Sequence, residues 1–130
     1  MQIKVNGAPY ECAASTLSTL IEHLDLNLSQ IAIERNREGE IVDKIQQSVK
    51  TYKGLIINAG AYSHTSVAIL DALKLLPFPI IEVHLSNIFQ REEFRHESYV
   101  SQVAQGVICG LGSQGYLFAL QAVAERVNTK

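Results

Sequence analysis

A chain of 130 residues, 47% of them hydrophobic, is long enough for one domain with its own apolar core. Its 11 Lys and Arg against 13 Asp and Glu give a net charge of −2, with the basic residues scattered, which argues against a nucleic-acid partner. Met1-Gln2-Ile3-Lys4-Val5 enters a strand-like pattern directly, and Cys12 and Cys109 stand far apart outside any CxxC motif. The expectation is a cytoplasmic protein with no leader, membrane partner, zinc site or disulfide framework.

Ile3-Lys4-Val5 and Tyr10-Glu11-Cys12 alternate around Asn6-Gly7, a strong short-range signal for a β-hairpin. Ser15 or Thr16 then caps a predicted helix with Leu17, Leu20, Ile21 and Leu24 on its apolar stripe. Asn27-Leu28-Ser29 matches a glycosylation sequon, which we read as chance. Gln30 to Glu34 reads as a strand, Glu40 to Tyr52 as a helix with Ile41, Ile45 and Val49 on one face, and Gly54 to Asn58 as a fully apolar buried strand. A helix over Ser66 to Leu76, a strand running through Ile81 to Ser86, a strand at Val107-Ile108-Cys109 and a closing helix from Tyr116 to Val127 complete the order. Strands alternating with helices predict an α/β domain, a mainly parallel sheet with helices on both faces and the hairpin adding an antiparallel strand.

Ligands of such sheets bind beyond the carboxyl ends of the strands. Asn58 to Ser66 and Glu82 to Ser86 therefore fall on one rim. Side chains alternate along a strand, so Glu82, His84 and Ser86 share one side while Val83 and Leu85 take the other. A carboxylate two residues from a histidine can orient the ring and favour its protonated form, making a general acid. The competing reading is a half-exposed strand with a polar outer face. His64, at a predicted helix start, is either a capping residue or part of an oxyanion site. Arg91 to His96 is either a solvated helical turn or the source of Arg95 reaching over the rim to a polar substrate. Gly110-Leu111-Gly112-Ser113-Gln114-Gly115 fits GxGxxG, but only one helix follows it, so a tight strand-to-helix turn explains the glycines better than a dinucleotide site.

From Asn36 onward the chain resembles type II 3-dehydroquinate dehydratase. The segments that carry the likeness are Asn36 to Asp43, Ile57 to Ser66, Glu82 to Asn87, Arg91 to His96 and Gly110 to Tyr116. The resemblance implies a flavodoxin-like three-layer α/β/α fold and the dehydration of 3-dehydroquinate to 3-dehydroshikimate through an enolate, with neither cofactor nor metal. It implies His84 as the acid protonating the leaving hydroxyl and Glu82 as its orienting carboxylate. Asn58, His64 and Arg95 would hold the ring hydroxyls, with Ser86 and the Leu85 amide on the substrate carboxylate. Asp71 would reach a neighbouring subunit's site in a homo-oligomer of trimers grouped into a dodecamer.

The first part departs from that family, which opens with an Asn-Gly-Pro-Asn-Leu-Asn turn and a mobile loop bearing a lid Arg and the catalytic Tyr. Here no Arg precedes Arg35, and Tyr10 is the only Tyr in the region. Residues 1–36 resemble instead the thiamin-biosynthesis sulfur carriers of β-grasp fold, through Met1-Gln2-Ile3, Asn6-Gly7, Cys12-Ala13-Ala14, Thr19 to Leu24 and Ala32 to Asn36. The carrier's thiolated Gly-Gly tail has no counterpart in Val127-Asn128-Thr129-Lys130, so sulfur carriage is not expected. The chain reads as a single domain that joins a β-grasp-like segment, 1–36, to a dehydratase body, 37–130, by natural or engineered fusion. Two functions follow: a dehydratase slowed by loss of its base-bearing loop, or a non-catalytic chimeric scaffold.

Overall fold

The computed structural model describes residues 2–5, 8–11, 31–32 and 37–129. Strands β1 (Gln2–Val5) and β2 (Ala8–Glu11) pair antiparallel, from Gln2 opposite Glu11 to Val5 opposite Ala8. The expected hairpin is there, but its ladder closes on itself as a separate two-stranded sheet. It does not extend the main sheet, because no register joins either strand to β3 (Ile31–Ala32). The helix expected over Leu17 to Leu24, and most of the sulfur-carrier likeness, lie outside the described residues.

The main sheet is parallel throughout and runs β3-β4-β5-β6, with β4 at Gly54–Ile57, β5 at Ile80–His84 and β6 at Gly106–Cys109. Helices α1 (Glu38–Ser48) and α2 (Val67–Leu73) pack together on one face. Helix α3 (Gln114–Asn128) covers the other face. The result is the α/β/α sandwich expected from the alternating elements.

Strand alternation divides the core. Leu55, Ile57 and Ile80 meet Ile41, Ile45, Ile69 and Leu73 on the α1/α2 side. Ile56, Ile81 and Val83 meet Tyr116, Ala119, Leu120 and Val123 on the α3 side. A sheet covered on both faces explains why β4 is apolar at every position.

Both flanking helices end sooner than their apolar periodicity suggests. Helix α1 starts at Glu38, where Arg37 N–H donates to Glu40 Oε2 at 3.3 Å, and stops at Ser48 in a turn closed by Thr51 and Tyr52 N–H on the Ser48 carbonyl. Helix α2 is capped by Ser66, whose Oγ accepts from Ile69 N–H at 3.0 Å. It stops at Leu73, four residues before Pro77, and Pro disfavours helix in the residue preceding it. Between β5 and β6 no long crossover helix forms. Three single 3-10 turns, Ile88–Gln90, Glu93–Arg95 and Val100–Gln102, carry the chain over the rim instead.

Candidate functional site

The carboxyl ends of β4 and β5 are adjacent, with Ile57 in register with Glu82. Each is followed by a loop, and the loops enclose a cleft of ≈ 250 Å³. Asn58, His64, His84, Leu85, Ser86 and Arg95 all line it, together with Arg91, whose expected place was a solvated turn. Asp71 lies elsewhere. It is exposed on α2 with its Oδ1 3.5 Å from Lys74 Nζ.

Glu82 and His84 point to the α1/α2 side of β5, as the two-residue period requires. Neither is half-exposed: Glu82 is 0% and His84 5% accessible. Their contact is 2.6 Å, from His84 Nε2 to Glu82 Oε1. Burial alone pushes the Glu82 carboxyl up. Hydrogen bonds from His84, Ser101 and Ser98, with the nearby His84 charge, outweigh it and hold the carboxyl below its ordinary value of 4.5. An ionised carboxylate only accepts, so His84 Nε2 carries the hydrogen and Nδ1 is the ring position left for a ligand.

Two serines absent from the sequence-based set complete the carboxylate's shell. Ser98 Oγ donates to Glu82 Oε1 at 2.5 Å, and Ser101 Oγ donates to Oε2. No pattern marks them in the sequence, because they sit 16 and 19 residues after Glu82 in an irregular connection.

The same connection fixes His64. Its Nδ1 is 2.6 Å from the Glu97 carbonyl, which cannot donate, so Nδ1 carries the hydrogen and a neutral His64 keeps Nε2 as an acceptor. The His64 and His84 rings stack, with centroids 5.9 Å apart and planes 17° from parallel. Asn58 is held at both ends of its amide: Nδ2 donates to Tyr116 Oη at 2.8 Å, and Oδ1 accepts from Gly60 N–H at 3.1 Å. Tyr116, on α3, thus braces the Asn58 amide, a contact that the sequence did not mark.

Arg95 is aimed by two neighbours. Its Nε donates to Glu92 Oε2 at 2.7 Å, and its guanidinium lies 5.1 Å from the centre of the Phe94 ring. The Glu92 carboxyl is held below its ordinary range, first by its own backbone N–H and then by Arg95. The glycine-rich turn secures the end of β5, with Gly110 N–H on the His84 carbonyl at 3.2 Å and Gly112 N–H on that of Leu85 at 3.0 Å. Gly110 has φ +87°, a conformation that L side chains rarely adopt. These bonds tie the turn to the strand end, the structural part that its glycines were expected to play.

Chemically, the cleft offers a buried carboxylate–imidazole pair, a second imidazole with a lone pair, a fixed amide and two guanidinium groups. That set suits a small, hydroxylated, anionic ligand undergoing proton transfer. Among the described residues, no group of three or more His, Cys, Asp or Glu is arranged to hold a metal ion, and no helix is long and apolar enough to cross a membrane.

Comparison with known proteins identifies the family of the chain. The profile of the family described as dehydroquinase class II matches residues 8–124. A 3-dehydroquinate dehydratase of Ruegeria pomeroyi is 48% identical over 101 residues, 78% of this chain and 68% of its own length. One from an Enterobacter species is 43% identical over 125 residues, covering 92% of this chain and 83% of the relative. The crystal structure of type II dehydroquinase from Butyrivibrio crossotus superposes with a TM-score of 0.75 at 37% identity, over 90% of this chain and 81% of that one. The family match begins within β2, and so takes in most of the segment likened above to sulfur carriers.

Proposed function

We propose, starting from the fact that the chain belongs to the class II dehydroquinase family, that its cleft binds 3-dehydroquinate and dehydrates it to 3-dehydroshikimate, slowly. The observation that carries the reading is the buried Glu82–His84 pair, opening onto a cleft that also holds Asn58, His64, Ser86 and Arg95.

In this reading the elimination passes through an enolate. His84, in its acid form, gives the Nδ1 proton to the departing hydroxyl, while Glu82 keeps the ring oriented and balances the imidazolium. The Asn58 amide, His64 Nε2 and Arg95 hold the ring hydroxyls. Ser86 and the Leu85 N–H hold the carboxylate, which Arg91 also faces across the cleft. Asp71, outside its own cleft, serves that of a neighbouring subunit in a homo-oligomer.

The slowness follows from the missing base. Among the described residues lining the cleft there is no tyrosine, and residues 1–36 offer only Tyr10, with no Arg before Arg35. Each acid or base group typically contributes roughly a hundred- to ten-thousand-fold, and lid closure excludes water besides. The test is the rise in dehydroshikimate absorbance after adding 3-dehydroquinate, beside a calorimetric titration with the same compound. Binding with turnover orders of magnitude below that of the Ruegeria relative is expected. A rate equal to the relative's overturns the slowness, and failure to bind overturns the dehydratase reading itself.

A further inference from the structure

Glu82 has both oxygens occupied. Oε1 takes Ser98 Oγ at 2.5 Å and His84 Nε2 at 2.6 Å, while Oε2 takes Ser101 Oγ. Three donors on two oxygens favour the ionised form, since each of these hydrogen bonds is stronger to a carboxylate than to a neutral carboxyl. Such a shell is needed for a wholly buried carboxylate, because an unpaired charge there would cost far more than a hydrogen bond returns.

The two hydroxyls come from a segment that also governs the other imidazole. Glu97 O holds His64 Nδ1, and Tyr99 N–H donates to the Ser63 carbonyl at 2.8 Å, beside His64. Five consecutive residues, Glu97 to Ser101, thus fix both rings of the cleft, although none of the five lines it. We infer that Ser98 and Ser101 are positioning residues for the His84 acid, holding the Glu82 carboxylate ionised and aimed at Nε2 so that His84 offers its proton only from Nδ1. The use of that proton rests on the dehydratase reading; the arrangement itself does not.

Other ionisable groups surround the pair without bonding Glu82: His64 from the turn after β4, Arg91 and Arg95 with Glu92 from the turns after β5, and Glu97 beside Ser98. The carboxylate's response to the two hydroxyls can therefore be read separately. The measurement is a side-chain nitrogen–proton NMR titration of the full chain into acid. The His84 Nε2 resonance reports when its carboxylate partner takes up a proton.

Removing one hydroxyl, in S101A or S98A, moves that acid midpoint upward by roughly one pH unit, the worth of one hydrogen bond to a charged group. S101T keeps the hydroxyl on an exposed residue, and it returns the midpoint to that of the parent. In the turnover assay S101A lowers kcat with KM little changed. Each alanine variant takes a donor from a different oxygen, so the test does not depend on either one folding.

A midpoint unmoved in a folded alanine variant overturns the inference. So does an S101T that behaves like S101A, because the hydroxyl would then not be the cause. A midpoint that moves while 3-dehydroquinate neither binds nor reacts leaves the positioning role standing and removes only the dehydratase reading.

Discussion

The two faces of β5 are built for different purposes from five consecutive residues. On one face Ile81 and Val83 lie against α3, among the apolar side chains of Ile56, Leu120 and Val123. On the other, Ile80 joins the α1/α2 core, but Glu82 and His84 interrupt it with a carboxylate–imidazole pair just as buried. The apolar face draws its stability from area and fit. The polar face is tolerable because both oxygens of Glu82 accept hydrogen bonds, and it keeps one imidazole nitrogen uncommitted for chemistry. Period-2 geometry allows one strand to anchor a core and carry a reactive group without either compromising the other.

The sharpest way to separate the faces is His84→Gln. Glutamine can still donate a hydrogen bond to Glu82 but has no proton to give a leaving group. Turnover of 3-dehydroquinate should fall by roughly a hundred- to ten-thousand-fold, with the melting temperature close to that of the parent. The absorbance assay and a thermal melt check both halves. A large drop in melting temperature would show that the polar face carries more of the stability than its hydrogen bonds suggest.

Ile81→Ala should do the reverse. Ile81 is 2% exposed, and cutting it back leaves a cavity against α3 that costs about 2–5 kcal/mol. Denaturant unfolding should register that loss, while activity per folded molecule and the His84 resonance stay as they were. If turnover falls with stability, strain passes through the strand and the two faces are not independent.

A smaller effect on the same apolar face comes from Gly54→Ala. A Cβ at Gly54 would lie 2.3 Å from Val123 Cγ1, and Val123 is itself fully buried. Something has to shift, at about 1–3 kcal/mol. Unfolding by urea should show it, and pairing the change with Val123→Ala should recover part of the loss.

These contrasts also explain which features could be read in the sequence. The alternation of Ile81 and Val83 with Glu82 and His84 is local, as is the Asn6-Gly7 hairpin, and both needed only the period of a strand. The rim followed from the order of strands and helices. Ser98, Ser101, the Glu97 carbonyl and Tyr116 were not legible, because their partners are remote in sequence and the geometry that joins them belongs to irregular turns or another layer. Arg91 was lost to a plausible surface ion pair, and it does approach Glu92 at 3.9 Å while also lining the cleft. The ends of α1 and α2 ran short for a similar reason: apolar periodicity continues past the point where turns and Pro77 close the helix.

The least effect, and the most specific to the polar face, is its response to acid. The Glu82 carboxyl is held below its ordinary value of 4.5 in the folded chain, with burial opposing and the donors prevailing. A carboxyl depressed by folding binds fewer protons folded than unfolded, so its contribution is fully present above 4.5 and is lost as the pH falls through the folded-state value. Stability measured by urea at a series of pH values should therefore hold from neutrality down to about 4.5, then decline until the pH has passed the folded-state value, with this group supplying part of the decline. Glu82→Gln has no proton to take up and should have a shallower acid limb. Ile81→Ala should keep the parent's slope while lying below it throughout. Parallel curves for the parent and Glu82→Gln would mean that Glu92, exposed but also depressed, or other carboxyls account for the acid dependence. The carboxylate–imidazole pair on β5 would then be neutral in the stability balance, held there for His84 alone.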